Sequence, residues 1–158
     1  MELLFKHVDR RDLIERAIDD ATGRRGWAHV EVRFADGRCF SSQYPAGVRF
    51  LPGIDTSDPA VWAVVPVPWI ETPEVLAWCE SQVGMGYDYA AAVFSALHID
   101  YRSADRWFCS EIVIEVGSRC RNGLLGCPEM LNPADLYDFI VGKTAARPYD
   151  AMPLQEVG

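Results

Sequence analysis

Apolar and polar positions change their period several times along this chain. Leu3, Leu4 and Phe5 with Val8 predict a first strand. Leu13, Ile14, Ala17 and Ile18 then recur at helical spacing behind Asp9, so a helix is expected from about Arg10 to Ala21, capped by Asp9, buried along those four residues and stopped by Gly23. Val30, Val32 and Phe34 alternate with His29, Glu31 and Arg33, and a period of two predicts a strand with His29 and Glu31 on one face. Ala35-Asp36-Gly37-Arg38 signals a hairpin. With Asp36-Gly37 as a two-residue turn, counting back sets Val30 opposite Gln43, Glu31 opposite Ser42 and His29 opposite Tyr44.

The pattern continues with a strand over Gly47-Val48-Arg49-Phe50, a turn at Pro52-Gly53-Ile54-Asp55, and a strand over 61–67 that Pro66 confines to an edge or an end. Thr72-Pro73-Glu74 opens a helix that runs to Val83 and stops at Gly84. Asp88 caps a third helix to about Leu97, and Ile112, Val113 and Val116 predict a half-buried helix beginning within one residue of Cys109. Asn132-Pro133 begins a last helix through Val141. Strands cluster before residue 70 and most helices follow, which predicts an α+β fold with an antiparallel sheet. Residues 1–144 are expected to form a single domain, and 145–158 an extended C-terminal tail.

Composition narrows the partners. The 158 residues are 49% apolar and 24% charged, ordinary for a globular domain, and the net charge of −8 argues against a nucleic-acid backbone or an anionic membrane surface. Arg10-Arg11 and Arg24-Arg25 are the densest basic pairs, expected to be solvated. No integral membrane segment and no secretory signal is read, so the chain is expected to stay cytoplasmic as synthesised. Five cysteines, an odd number, fit no disulfide framework and point to a reducing interior. Without CxxC or HExxH, no metal and no cofactor is expected.

The chemistry concentrates at Cys109. A cysteine at a helix start meets unpaired backbone N–H groups and the positive end of the helix dipole, which favour a thiolate over a thiol. The same N–H groups can hold the oxyanion formed when that thiolate attacks a carbonyl. His29 is the candidate base, and Glu31, Ser42 and Tyr44 are candidates to orient it, Glu31 first because a carboxylate on the far ring nitrogen fixes the tautomer. Plainer readings exist for each: Cys109 as a buried apolar residue, Glu31 as a solvent-facing strand carboxylate, Ser110 and Glu111 as helix-start residues, Tyr87 as a packed aromatic. Cys39 and Cys79 read as packing residues.

Taken in order, Trp27-Ala28-His29-Val30-Glu31-Val32, the Asp36-Gly37 hairpin with Phe40-Ser41-Ser42, Gly86-Tyr87-Asp88-Tyr89, Trp107-Phe108-Cys109-Ser110-Glu111 and Asn132-Pro133-Ala134-Asp135-Leu136-Tyr137 resemble the circularly permuted papain-like cysteine enzymes of the NlpC-type superfamily, nearest its YiiX-like branch. The resemblance covers most of residues 27–137. It implies a permuted papain-like fold, an antiparallel sheet or partial barrel packed against helices, with Cys109 as nucleophile and His29 as general base. Tyr87 would line the site, and Ser110, Trp107 and Ser42 are the further candidate substrate contacts. The chain departs from many relatives at the third member, since the strand after His29 offers only Ser41, Ser42 and Gln43. The activity implied is a cysteine hydrolase acting on a peptide, amide or acyl substrate, first among them cell-wall peptides. A cell-wall substrate would require another route of release, as from a phage lysin, a phage particle or a delivered effector. Two alternatives stand beside it: an acyltransferase acting on lipid or amine, as in the related lecithin retinol acyltransferase-like enzymes, and a non-catalytic binding module that retains the fold.

Overall fold

The computed structural model describes residues 1–21, 23, 25–88, 105–124, 127 and 131–145. Strand β1 (Glu2–His7) buries Leu3, Leu4 and Phe5 completely and lies between β2 (Trp27–Arg33) and β5 (Trp62–Pro66), antiparallel to both. A strand apolar on both faces belongs inside a sheet. β3 (Cys39–Gln43) and β4 (Gly47–Leu51) extend the sheet beyond β2, giving the order β4-β3-β2-β1-β5 with every neighbour antiparallel. The sheet is open, not a closed barrel, and β5 occupies an edge as its proline requires. Two short strands, β6 (Gly86–Tyr87) and β7 (Arg106–Trp107), pair in parallel. They join the main sheet where Val48 N donates to Met85 O at 2.9 Å and Gly84 N to Val48 O at 3.0 Å.

Four helices are present among the described residues: α1 (Leu13–Ala21), α2 (Pro73–Gln82), α3 (Cys109–Arg119) and α4 (Pro133–Ala145). The protein is therefore a mixed α+β fold. Leu3, Phe5, Val30, Val32, Phe40 and Val48 of the sheet meet Ile112, Val113 and Val116 of α3 and Leu136 and Ile140 of α4 in one core. Burying each such aliphatic or aromatic side chain stabilises by about 1.5–3 kcal/mol, so this contact fixes α3 on the sheet. The start of β2 is held separately, by Trp27 stacked on His7 and packed 4.4 Å from Tyr137 of α4.

The hairpin differs from the expected two-residue turn. Phe34 N donates to Arg38 O at 2.9 Å and Gly37 N to Phe34 O at 3.1 Å, so the loop is three residues, Ala35-Asp36-Gly37, with Gly37 at φ +88°. Asp36 Oδ1 accepts from Arg38 N at 2.9 Å and sets that shape. Val32 pairs with Phe40 and Arg33 with Cys39, one residue off the count from a tighter turn. A slip of one residue exchanges the faces of the whole strand. Ser41 and Gln43 thereby join Glu31 and Arg49, while Ser42 turns to the side of Phe40 and Val48.

Helix α1 also departs from expectation. It begins at Leu13 because Asp12 Oδ1 accepts from Glu15 N at 3.1 Å, while Asp9 accepts from Arg11 N in the turn before it. Of its expected buried face, Leu13 is 75% exposed and Ala17 is exposed, while Ile18 is half-buried. Polar contacts hold the helix instead. Asp19, fully buried, accepts from Gly26 N at 2.7 Å and pairs with Arg10, and Glu15 pairs with Lys6 of β1. Arg25, expected to be solvated, clasps Asp135 and Asp138 of α4. Helix α4 extends to Ala145, past the expected Val141 and into the first residue of the expected tail; the rest of that tail, 146–158, and the helix expected from Asp88 to Leu97 lie outside the described residues. Among the described residues no helix is long and apolar enough to cross a membrane.

Candidate active site

Cys109 is the first residue of α3, following Phe108 in extended backbone (φ −88°, ψ 155°). β7 delivers it there, with Asp88 N donating to Trp107 O at 3.1 Å. Glu111 Oε2 accepts from Phe108 N at 3.3 Å, and the first helical bond runs from Ile112 N to Phe108 O at 3.1 Å. Geometry at a helix start leaves the N–H groups of Cys109 and Ser110 without intrahelical acceptors.

His29 stands where β2 and β3 part. Their ladder holds only the two pairs named above, although the strands are seven and five residues long, and Ser41 Oγ bonds Val30 O across the opening at 2.7 Å. The ring consequently borders two cavities. One is lined with Ala28, Gln43, Tyr44 and Tyr87 and with Asp12, Glu15 and Ile18 of the α1 segment. The other, about 240 Å³, lies against Lys6, Glu31, Gln43, Arg49 and Trp62.

Alternate side chains on one strand stand ~7 Å apart by strand rise. Glu31 closes that gap: His29 Nε2 donates to Glu31 Oε1 at 2.9 Å. This leaves Nδ1 as the ring nitrogen to serve Cys109. Burial is the largest influence on His29 and opposes its charge, yet the hydrogen bond and charge of Cys109, followed by those of Glu31, raise its pKa from 6.5 to about 9. The sulfur on one side and the carboxylate on the other thus favour the charged form of the ring against its burial. Glu31 is 1% exposed, not solvent-facing. Burial pushes its carboxyl up, but the hydrogen bond and charge of His29, and then Arg49, outweigh this and hold it below the usual carboxylate range.

Three other thiols show what burial does to a cysteine without a histidine beside it. Desolvation pushes Cys79 to about 12 and Cys120 to about 11, and Cys39 is also raised, chiefly by burial. They are packing residues held as thiols.

Of the sequence-selected residues, the structure groups Cys109, His29, Glu31 and Tyr87. The Tyr87 ring packs 6.1 Å from Phe108 and 6.3 Å from Tyr44, bordering the same cavity as His29. The remaining three are occupied elsewhere. Ser42, carried to the opposite face by the three-residue hairpin loop, is fully buried and its Oγ has no partner among the described residues. Ser110 is fully buried and donates its hydroxyl to Leu131 O. Trp107 donates its indole N–H toward Gln82 Oε1 at 3.1 Å and packs edge-on against Trp78.

Sequence reading missed Arg49. Its Nη2 donates to Glu31 Oε1 at 2.7 Å and to Gln43 Oε1 at 2.6 Å, and Nη1 donates to Ser41 O at 3.3 Å. A signal was present: Arg49 falls between Val48 and Phe50 in a strand, so it alternates onto the face that those apolar residues leave, where a half-buried guanidinium needs an anion. Among the described residues no cluster of three or more His, Cys, Asp or Glu could hold a metal. A scan against protein-family models, a search of curated proteins and a search of solved structures each find no match to this chain.

Proposed function

We propose that this protein is a cysteine hydrolase of the permuted papain-like superfamily, cleaving an amide or peptide bond through a thiolate at Cys109. The observation that carries the reading is the chain Glu31–His29–Cys109, in which a buried histidine stands between a carboxylate 2.9 Å from its Nε2 and a helix-start sulfur, both favouring its charged form. Packing alone has no use for a buried imidazolium, which costs desolvation.

In this reading the resting site is a thiolate–imidazolium pair, so His29 begins the cycle as an acid and not as a base. The Cys109 sulfur attacks the substrate carbonyl carbon, and the N–H groups of Cys109 and Ser110 receive the oxyanion. His29 gives its proton to the leaving amine as the C–N bond breaks, leaving a thioester and a neutral ring. Water then loses a proton to His29 and attacks the thioester, which releases the acid and restores the thiolate. Glu31 holds the ring throughout. Murein stem peptides are the first substrate class to test, on family resemblance, and cleavage is read by mass spectrometry of a peptide panel with Cys109→Ala as control. Release of free acid and amine by the native chain alone supports hydrolysis; transfer of the acyl group to an added amine or lipid indicates the acyltransferase.

One observation favours a second reading, a non-catalytic module: Cys109 is only 1% exposed, as is the preceding Phe108. Iodoacetamide labelling separates the two, since a sealed cysteine reacts only on denaturation.

A further inference from the structure

Arg49 has no part in the attack, yet it shares one oxygen with the histidine that does. Its Nη2 sits 2.7 Å from Glu31 Oε1, and His29 Nε2 sits 2.9 Å from that same atom. Glu31 Oε2 is buried and has no partner among the described residues, so the carboxylate is held through a single oxygen by two cationic neighbours. The guanidinium is itself fixed by Gln43 Oε1 and Ser41 O.

Resting on the hydrolase reading above, we propose that Arg49 is a positioning residue: it is the permanent counter-charge that keeps Glu31 ionised and turned toward His29 while the ring's own charge comes and goes. His29 alternates between imidazolium and imidazole during the reaction that the site supports. When the ring is neutral, a carboxylate at 1% exposure loses its only titrating partner, and an isolated buried carboxylate takes up a proton. A guanidinium does not lose its charge in proteins, so Glu31 remains an acceptor for Nε2–H in both states. The tautomer that presents Nδ1 to Cys109 is then preserved from one turnover to the next.

The other charges around this group are committed elsewhere. Lys6 of β1, opposite His29, is paired with Glu15 of α1, and Arg33, further along β2, is paired with Glu2. Cys39 on β3 is held as a thiol by burial, and Cys109 on α3 is the sulfur that the ring serves. Arg49 is thus the fixed cation in contact with Glu31.

The test is the pH profile of Cys109 carbamidomethylation in the full chain, with Arg49→Gln, Arg49→Lys and Thr72→Ala. Removing a fixed cation from the cluster makes every group in it hold protons more tightly, so Arg49→Gln is expected to move the midpoint of the profile up by about one pH unit. Arg49→Lys keeps the charge and loses the fork, and its midpoint is expected within about 0.3 unit of the native chain. Thr72→Ala removes the cap of α2, whose Oγ1 accepts from Val75 N, and is expected to lower Tm with no change in midpoint. An unmoved midpoint in Arg49→Gln would make Arg49 scaffold, as would a shift in Arg49→Lys as large as that expected for Gln. If the glutamine variant does not fold, Arg49→Met, an uncharged side chain of similar reach, takes its place, with the same upward shift expected and an unmoved midpoint overturning the proposal. Failure of the underlying reading is separate: there the native chain itself shows no labelling below the range of a free thiol.

Discussion

His29 ties protonation to folding at the scale of one residue. Its pKa lies near 9 in the folded chain against 6.5 for an ordinary imidazole, so the folded state binds this proton more tightly than the unfolded state. That stabilisation is complete below about pH 6.5, fades between 6.5 and 9, and is gone once pH has risen through the folded value. NMR titration of the His29 ring in the native chain should therefore give a midpoint well above that of an ordinary imidazole. A ring that titrates as an ordinary imidazole would remove His29 from this role. Glu31→Gln is the complementary change. It takes away the carboxylate while leaving an acceptor oxygen, and NMR titration of the His29 ring should then give a pKa at least about one unit lower than in the native chain.

At the scale of elements, the sequence reading succeeded where the signal is local. Thr72 caps α2 with proline next, Cys109 opens α3, and Pro66 sends β5 to an edge. It failed where a local signal permits two outcomes that only packing decides. Asp36-Gly37 suits both a two-residue turn and the three-residue loop that forms, and the difference moves Ser42 from the side of Glu31 to the side of Phe40. Helix α1 has the apolar spacing of a packed helix but is seated by Asp19 and Glu15, which periodicity does not register. Arg49 and its pairing with Glu31 depend on two registers taken together, β2 against β3 and β3 against β4, and the first of them turns on the hairpin loop. The join between β4 and β6 is testable in the same terms. Gly47 has φ +71°, and a Cβ there would lie 2.1 Å from Met85 O, in the bridge that places Tyr87 beside His29. Gly47→Ala should cost on the order of 1–3 kcal/mol in thermal or urea unfolding, whereas a loss under ~0.5 kcal/mol would mean that this close approach relaxes freely.

For the whole molecule, an open antiparallel sheet covered by α3 and α4 brings residues 80 positions apart in sequence into one charged group. In the hydrolase reading proposed above, the sheet–helix contact turns Cys109 into a reactive thiolate and does not merely bury it. The pH dependence of iodoacetamide labelling, read by peptide mass spectrometry on the native chain and on His29→Ala, tests this most directly. Cys127, partly exposed, serves as the internal comparison in the same sample, and Cys79, pushed up to about 12 chiefly by burial, as the inert one. Cys109 should label fast already at about pH 6.5, well ahead of Cys127, and His29→Ala should slow it there by at least about tenfold. Labelling of Cys109 that merely tracks Cys127, or that begins only when the protein unfolds, would contradict the account and leave the fold as a binding module.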